Sequence, residues 1–334
     1  MRAAMIVLLC SSFSAEAFAW GEEGHAIVAE IAQRRLSPQA AAMVETLLGP
    51  GHSLASIASW ADDFRANGGA EGKKTASWHF VNIPIKCNDY DAKRDCGSDD
   101  PEKGDCIVAE LNRLMKELQK CAVGPDQVQA LKFVIHLVGD IHQPLHTVNE
   151  QGGANGIAVA IFMQGETCKV NKSALCSPLA VTDLHTLWDS TLIRRQYFSW
   201  GKYVDDHEDP KTDWLNSQEA QKNVVSEEPD KWAEQWAVET HAKAQSVWRM
   251  TQQASQLAQV EAVSTCPKEQ QLVQVEAVST CPNDEVLNDQ YLKAAMNIIN
   301  RQLGVAGLRL AAFLNKAYAS CAVPSSARQK AVHS

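Results

Sequence analysis

The sequence predicts a mainly α-helical, single-domain protein carrying one small β-hairpin. Apolar residues recur at three- and four-residue spacing through eight segments, and two of these open on strong helix-start signals. By contrast, only one run, Ile157-Ala-Val-Ala-Ile-Phe162, reads as a strand.

The helical segments follow in order. Ala26 to Arg35 comes first. Ala40 to Leu48 follows Ser37-Pro38, an N-cap with proline at the first helical position, where a missing N–H costs nothing. Leu54 to Arg65 and Ile107 to Leu118 carry the same period. Gly124-Pro125-Asp126 punctuates the approach to Val128 to Ile141, which Pro144 should end near His142. The strand run follows Gly152-Gly153 and Gly156 and should form half of a hairpin ending near Cys168 and Cys176. Leu184 to Ile193, Lys231 to Gln256 and Tyr291 to Ala319 complete the set.

The chain has 334 residues, 45% of them hydrophobic, too apolar for disorder and enough for a sizeable core. No Pro/Gly/Ser linker or long charge run divides its middle, so residues 20–322 read as one domain and 323–334 as a tail. A net charge of −9 argues against an electrostatic nucleic-acid clamp and against docking on anionic lipid, so a phosphate partner would need local positive charge. Arg2, the apolar stretch Ala3 to Phe13 and Ala17-Phe18-Ala19 have the layout of a signal peptide over residues 1–19. The apolar run is about half the roughly 20 residues a spanning helix needs, and no later stretch looks membrane-spanning. Cleavage after Ala19 would make Trp20 the N-terminus and the protein secreted or periplasmic.

Export makes disulfides the expected state of the cysteines. Nine lie beyond the leader, at 87, 96, 106, 121, 168, 176, 266, 281 and 321. The odd count has a local origin: Gln259 to Pro267 recurs identically as Gln274 to Pro282, fifteen residues later. One cysteine is a duplicate inside an insert around 256–285, and removing one copy restores eight.

The chemistry concentrates in histidine and aspartate. In Leu131-Lys-Phe-Val-Ile-His136-Leu-Val-Gly-Asp140-Ile-His142-Gln-Pro-Leu-His146, His136 and Asp140 share a helix face, and the turn at Pro144 brings His146 back from another direction. Leu184-His185-Thr-Leu-Trp-Asp189 repeats the His-x-x-x-Asp spacing. Two helices that each offer imidazole and carboxylate can hold a divalent metal between them. His25, Asp62, Asp63 and His79 supply the same residue types earlier in the chain. Adjacent carboxylates on a helix point to different sides, so only one of Asp62 and Asp63 should reach a metal.

These residues, with Trp-Ala-Asp at 60 to 62, Trp-His-Phe at 78 to 80, the Gly-Gly turn, Trp-Ala-Val-Glu at 236 to 239 and a closing helix from Gly307 to Asn315, resemble the zinc-dependent S1/P1 nucleases. That family shares its fold with bacterial zinc phospholipase C, and the resemblance spans nearly the whole chain after Ala19. It implies a single-domain helical phospholipase C/P1 nuclease-like fold and three zinc ions. Asp62, His79 and His136 would hold one ion, His146, His185 and Asp189 a second, and Trp20 with His25 a third. Asp140 would bridge the first and third. Trp20 would bind through its free amino nitrogen and its carbonyl oxygen, so leader removal would complete the site.

The resemblance further implies Arg65 as a catalytic stabiliser of transition-state charge, Phe80 as a base-stacking residue and Asn155 as a base contact, although Ala154 shifts the last by one position. The implied activity is hydrolysis of single-stranded DNA and RNA to 5′-phosphorylated products, with 3′-nucleotidase action on nucleotides and no stable protein partner. The alternatives are a zinc phospholipase C acting on lipid head groups and, in another class, a non-catalytic zinc-binding surface protein.

Overall fold

The computed structural model describes residues 20–97, 105–150, 152–154, 157–161, 180–196, 199–208, 215, 224, 228–255, 287 and 289–322. The expected leader, Asn155, Cys168, Cys176, the duplicated insert and the tail lie outside them.

Helix α1 spans Glu22–Gln33 and starts four residues before the apolar period does, with Glu22 and Glu23 in its first turn, where carboxylates suit the helix dipole. In α2, Pro38–Leu48, the Ser37 hydroxyl accepts the N–H of Ala40 and proline occupies the first turn, as read from the sequence. The segment from Leu54 to Arg65 departs from expectation. It is a short 3-10 turn, Ala55–Ile57, followed by a separate helix α3, Trp60–Asn67. The break frees the Ala58 carbonyl for the site described below. Short helices α4 (Gly69–Lys74) and α5 (Ala92–Asp95) had no periodic signal because one or two turns are too short to show one.

Helix α6, Ile107–Leu118, has the predicted bounds and buries Ile107, Leu111, Leu114 and Leu118 as one stripe. Helix α7, Pro125–Asp140, is central: every residue from Phe133 onward is buried. It ends two residues before His142, and a 3-10 turn, Pro144–Thr147, then redirects the chain. Strands β1 (Ala158–Ile161) and β2 (Ala180–Asp183) pair antiparallel with Ala158 opposite Asp183, the expected hairpin. Beyond β2, α8 (Leu184–Thr186) runs through a π turn, Leu187–Thr191, into α9 (Leu192–Gln196). Then come α10 (Trp200–Glu208), α11 (Trp232–Ser255) and α12 (Asp289–Tyr318).

The longest helix, α12, packs against α1, α2 and α7, while α6 and α7 pack together. One continuous core joins them, including Ile27, Ile31, Val134, Leu303, Leu310 and Phe313. Disulfides Cys96–Cys106 and Cys121–Cys321 are present, the second tying the loop after α6 to the end of α12 across 200 residues. Cys87 is disulfide-bonded too. No helix among the described residues is long and apolar enough to cross a membrane.

Candidate metal centre

Burying a histidine and an aspartate is costly unless each finds a partner, and this fold buries eight such groups together. His25, His79, His136, Asp140, His146, His185 and Asp189 are 0–3% exposed and Asp62 is 6% exposed, while buried His142 turns its ring to the Val138 carbonyl and Arg309 instead. Asp63 is exposed, as expected for the second of two adjacent carboxylates. The ligand atoms converge in three groups: His25, His136 and Asp140; Asp62, His79 and His136; and His146, His185 and Asp189.

Asp140 is the hub of the first two groups. Its Oδ1 lies 3.1 Å from His25 Nε2, while its Oδ2 lies 2.9 Å from His79 Nδ1 and 3.2 Å from His136 Nε2. Asp62 Oδ1 is 3.6 Å from the same His79 and His136 nitrogens. The His25 and His136 rings stack at 3.8 Å. Room for this comes from Gly139, where a Cβ would stand 2.7 Å from His25 Nδ1. Trp20 is fully buried, its Cδ1 only 3.6 Å from that same point, and Gly21 N–H donates to the Asp189 carbonyl at 2.8 Å. The fold therefore seats Trp20 beside His25.

In the third group His146 Nε2 and His185 Nε2 face each other at 3.0 Å, and Asp189 Oδ2 is 3.2 Å from His185 Nε2. His185 rises from the first turn of α8, which Asp183 caps by accepting the Thr186 N–H and hydroxyl. Asp189 sits within the π turn, a distortion that commonly marks functional positions.

Tautomers follow from the backbone. A carbonyl can only accept, so the ring nitrogens of His136, His146 and His185 that meet Ala58 O at 2.7 Å, His79 O at 2.7 Å and Gly153 O at 2.5 Å must be protonated Nδ1 atoms. With Nδ1 so occupied, Nε2 is the nitrogen each ring turns to the centre, a lone pair at His146 and His185 and, at His136, one freed when its proton leaves. Two lone pairs held 3.0 Å apart repel unless a cation lies between them. His25 Nδ1 and Nε2, His79 Nε2, Asp62 Oδ1 and Asp140 Oδ1 are buried with no hydrogen-bond partner among the described residues. Neutral imidazoles and carboxylates, oriented from behind by backbone carbonyls, are the donor set and outer arrangement that zinc takes, so the residues present fit that ion.

Electrostatics divides the centre. Burial lowers His25, His79 and His185. It also lowers His146, to about 3, with help from neighbouring His185. At His136 burial pulls the same way, but Asp140 and Asp62 outweigh it and raise the group to about 9. Burial pushes Asp140 up, yet His136 and His25 hold it well below the carboxylate range. Burial raises Asp189 well above that range, and the hydrogen bond from Gln143 opposes it only in part.

A model of the S1/P1 Nuclease family matches residues 20–319. The chain belongs to the S1/P1 nuclease family. It is 35% identical over 182 residues to Nuclease S1 of Aspergillus oryzae, covering 52% of this chain and 55% of that one. With Nuclease P1 of Penicillium citrinum it shares 41% identity over 146 residues, 42% of this chain and 52% of the relative. Matches to these fungal nucleases thus span about half their length. Endonuclease 2 of Arabidopsis thaliana is similar at 29% identity over 320 residues, 90% of both chains.

Within this S1/P1 nuclease family member, Arg65 lies one turn from Asp62, its Nη2 3.3 Å from Asp62 Oδ1 and its side chain 11% exposed. Phe80 is half-buried at the end of the His79 turn, in extended backbone. Asn155 is outside the described residues. Sequence reading missed Gln143, which donates to Asp189, and the carbonyls of Ala58, His79 and Gly153. Gln143 stood inside a motif already singled out, whereas a backbone carbonyl has no residue-type signal at all.

Proposed function

We propose that this protein is an exported zinc-dependent phosphodiesterase that hydrolyses single-stranded DNA and RNA to 5′-phosphorylated products, with 3′-nucleotidase action on nucleotides. The observation that carries the reading is the set of imidazole lone pairs fixed by backbone carbonyls and converging within about 3 Å of one another and of Asp140 and Asp189. Three zinc ions are assigned: one to Asp62, His79 and His136, one to His146, His185 and Asp189, and one to His25 and Trp20, with Asp140 shared by the first and third. Zinc held there would supply Lewis-acid polarisation of the phosphate and a water whose pKa falls from about 15.7 towards 7.

The chain's own residues supply the rest. Asp140 has one oxygen towards His25 and the other towards His79 and His136, the geometry a shared ligand needs. Arg65 places a permanent cation beside Asp62, and it is near enough to reinforce, after burial, the lowering of His185. It would neutralise charge gathering on the phosphate. Phe80, next to His79 and only half-buried, offers a ring on which an unpaired base can stack, which favours single strands without sequence preference. Asn155 is assigned a base contact. Removal of residues 1–19 after Ala19 would give Trp20 a free amine beside His25. An amide nitrogen in the uncleaved chain has no comparable lone pair, so activity would follow export.

The test is zinc content by elemental analysis of the secreted protein, with single-stranded DNA hydrolysis measured before and after chelation. About three zinc per chain with chelator-sensitive cleavage is the expected result. A full zinc load with phosphatidylcholine hydrolysis and no nuclease activity would transfer the site to phospholipase chemistry. Full activity with one extra residue ahead of Trp20 would remove the amine from the ligand set.

A further inference from the structure

Gln143 is fully buried between two of the metal-ligand segments and is itself unable to ionise. It follows α7 directly, its N–H donating to the Asp140 carbonyl at 2.9 Å, and its carbonyl accepts the His146 N–H at 3.0 Å. Its side chain faces two groups of opposite character. One is the Leu145 N–H, which can only donate and is 2.6 Å from Oε1. The other is Asp189 Oδ1, which accepts from Nε2. Reversing the amide would set donor against donor and acceptor against acceptor, so its orientation is fixed.

This pairing makes the two oxygens of Asp189 unequal. Oδ1 is held by Gln143 and lies 4.0 Å from His146 Nε2, while Oδ2 lies 3.2 Å from His185 Nε2. Asp189 stands in a π turn, and the side-chain link from Gln143 fixes its carboxylate there. Two further anchors flank it: Gly21 N–H on the Asp189 carbonyl, and the neighbouring Trp188 side chain, whose indole N–H donates to the Tyr291 hydroxyl at 3.0 Å.

We propose that Gln143 is a positioning residue that makes Asp189 a one-oxygen ligand, reserving Oδ2 for the ion shared with His146 and His185. This rests on the zinc assignment above. The same amide joins Asp189 to the turn carrying His146, so two ligands of one ion are set by a single side chain.

The variant Gln143→Met keeps the length and apolar volume and removes the donor. Zinc release to excess chelator is followed in the purified, zinc-loaded protein, with His185→Ala marking which release phase belongs to the His146/His185/Asp189 cluster. The expected result is that Gln143→Met accelerates that phase about 10–100-fold and leaves the Asp140 phase unchanged. A merely structural role would speed both phases together and overturn the proposal, as would release identical to the parent. If the methionine variant does not fold, Gln143→Asn, whose amide stops one methylene short, should show an intermediate acceleration of the same phase; no acceleration overturns the proposal. A parent protein with no tightly held zinc would sink the zinc assignment as well, which separates the two failures.

Discussion

The cluster around Asp140 and the cluster around Asp189 use the same residue types yet differ in charge. In the first, one carboxylate is shared by histidines from three segments, and charge wins over burial at two groups: His136 rises to about 9 and Asp140 stays well below the ordinary carboxylate range, while burial still lowers His25 and His79. In the second, burial wins, sending His146 to about 3 and Asp189 upward. Charge in the first cluster therefore centres on the pair His136 and Asp140, whereas the second is pushed towards neutral groups. The lesson is that His-x-x-x-Asp spacing does not fix the electrostatics of a pair; the number of further carboxylates brought to it does.

The largest test of this contrast is Asp140→Asn. Losing the shared carboxylate should empty both positions it touches and reduce phosphodiesterase turnover by about 10³-fold or more, while the Asp189 cluster keeps its ion. Elemental analysis showing one zinc per chain supports this; three zinc would break the hub assignment. Paired alanine substitutions at glycine come next. Gly139→Ala pushes a methyl into His25 and should weaken only the position at His25. Gly153 has φ of +67° and its carbonyl orients His185, so Gly153→Ala should weaken the other cluster about 10–100-fold and cost about 1–2 kcal/mol of stability. Chelator competition and thermal denaturation read the two effects separately.

A smaller effect concerns pH. His136, raised to about 9, holds a proton below that pH, and an incoming divalent cation must displace it. Zinc affinity of the Asp140 cluster should therefore rise with pH, about tenfold per unit up to about 9, and then flatten. Titration calorimetry of metal-free His185→Ala in buffers of different ionisation enthalpy measures the released proton directly; zero release at pH 7 would contradict the charge assignment. Smallest of all is Asp63→Asn. Asp63 is exposed beside buried Asp62, so zinc content should be unchanged and stability within about 0.5 kcal/mol.

Much of the site was legible because its ligands are side chains with distinctive chemistry at helical spacing. His136 with Asp140 and His185 with Asp189 followed from i, i+4 geometry, and helix geometry also required that only one of Asp62 and Asp63 face the centre, while the choice of Asp62 came from the family resemblance. The strand run, the α6 bounds and the Ser37 cap were equally local matters. The break between Ala55–Ile57 and α3 was not legible, because the apolar period runs straight through it. What interrupts the helix there is distant: the Ala58 carbonyl serves His136, 78 residues away.

The sequence by itself determined the mainly helical class, the residue types of the candidate metal centre and the pairs that share a helix face, since each depends on local residue type and periodicities of a few residues. Tertiary structure alone decided which pairs meet, which ring nitrogen is offered, and which cluster carries charge. Those outcomes depend on backbone carbonyls and carboxylates delivered from elements far apart in the chain, and on burial that exists only once the core has closed around them.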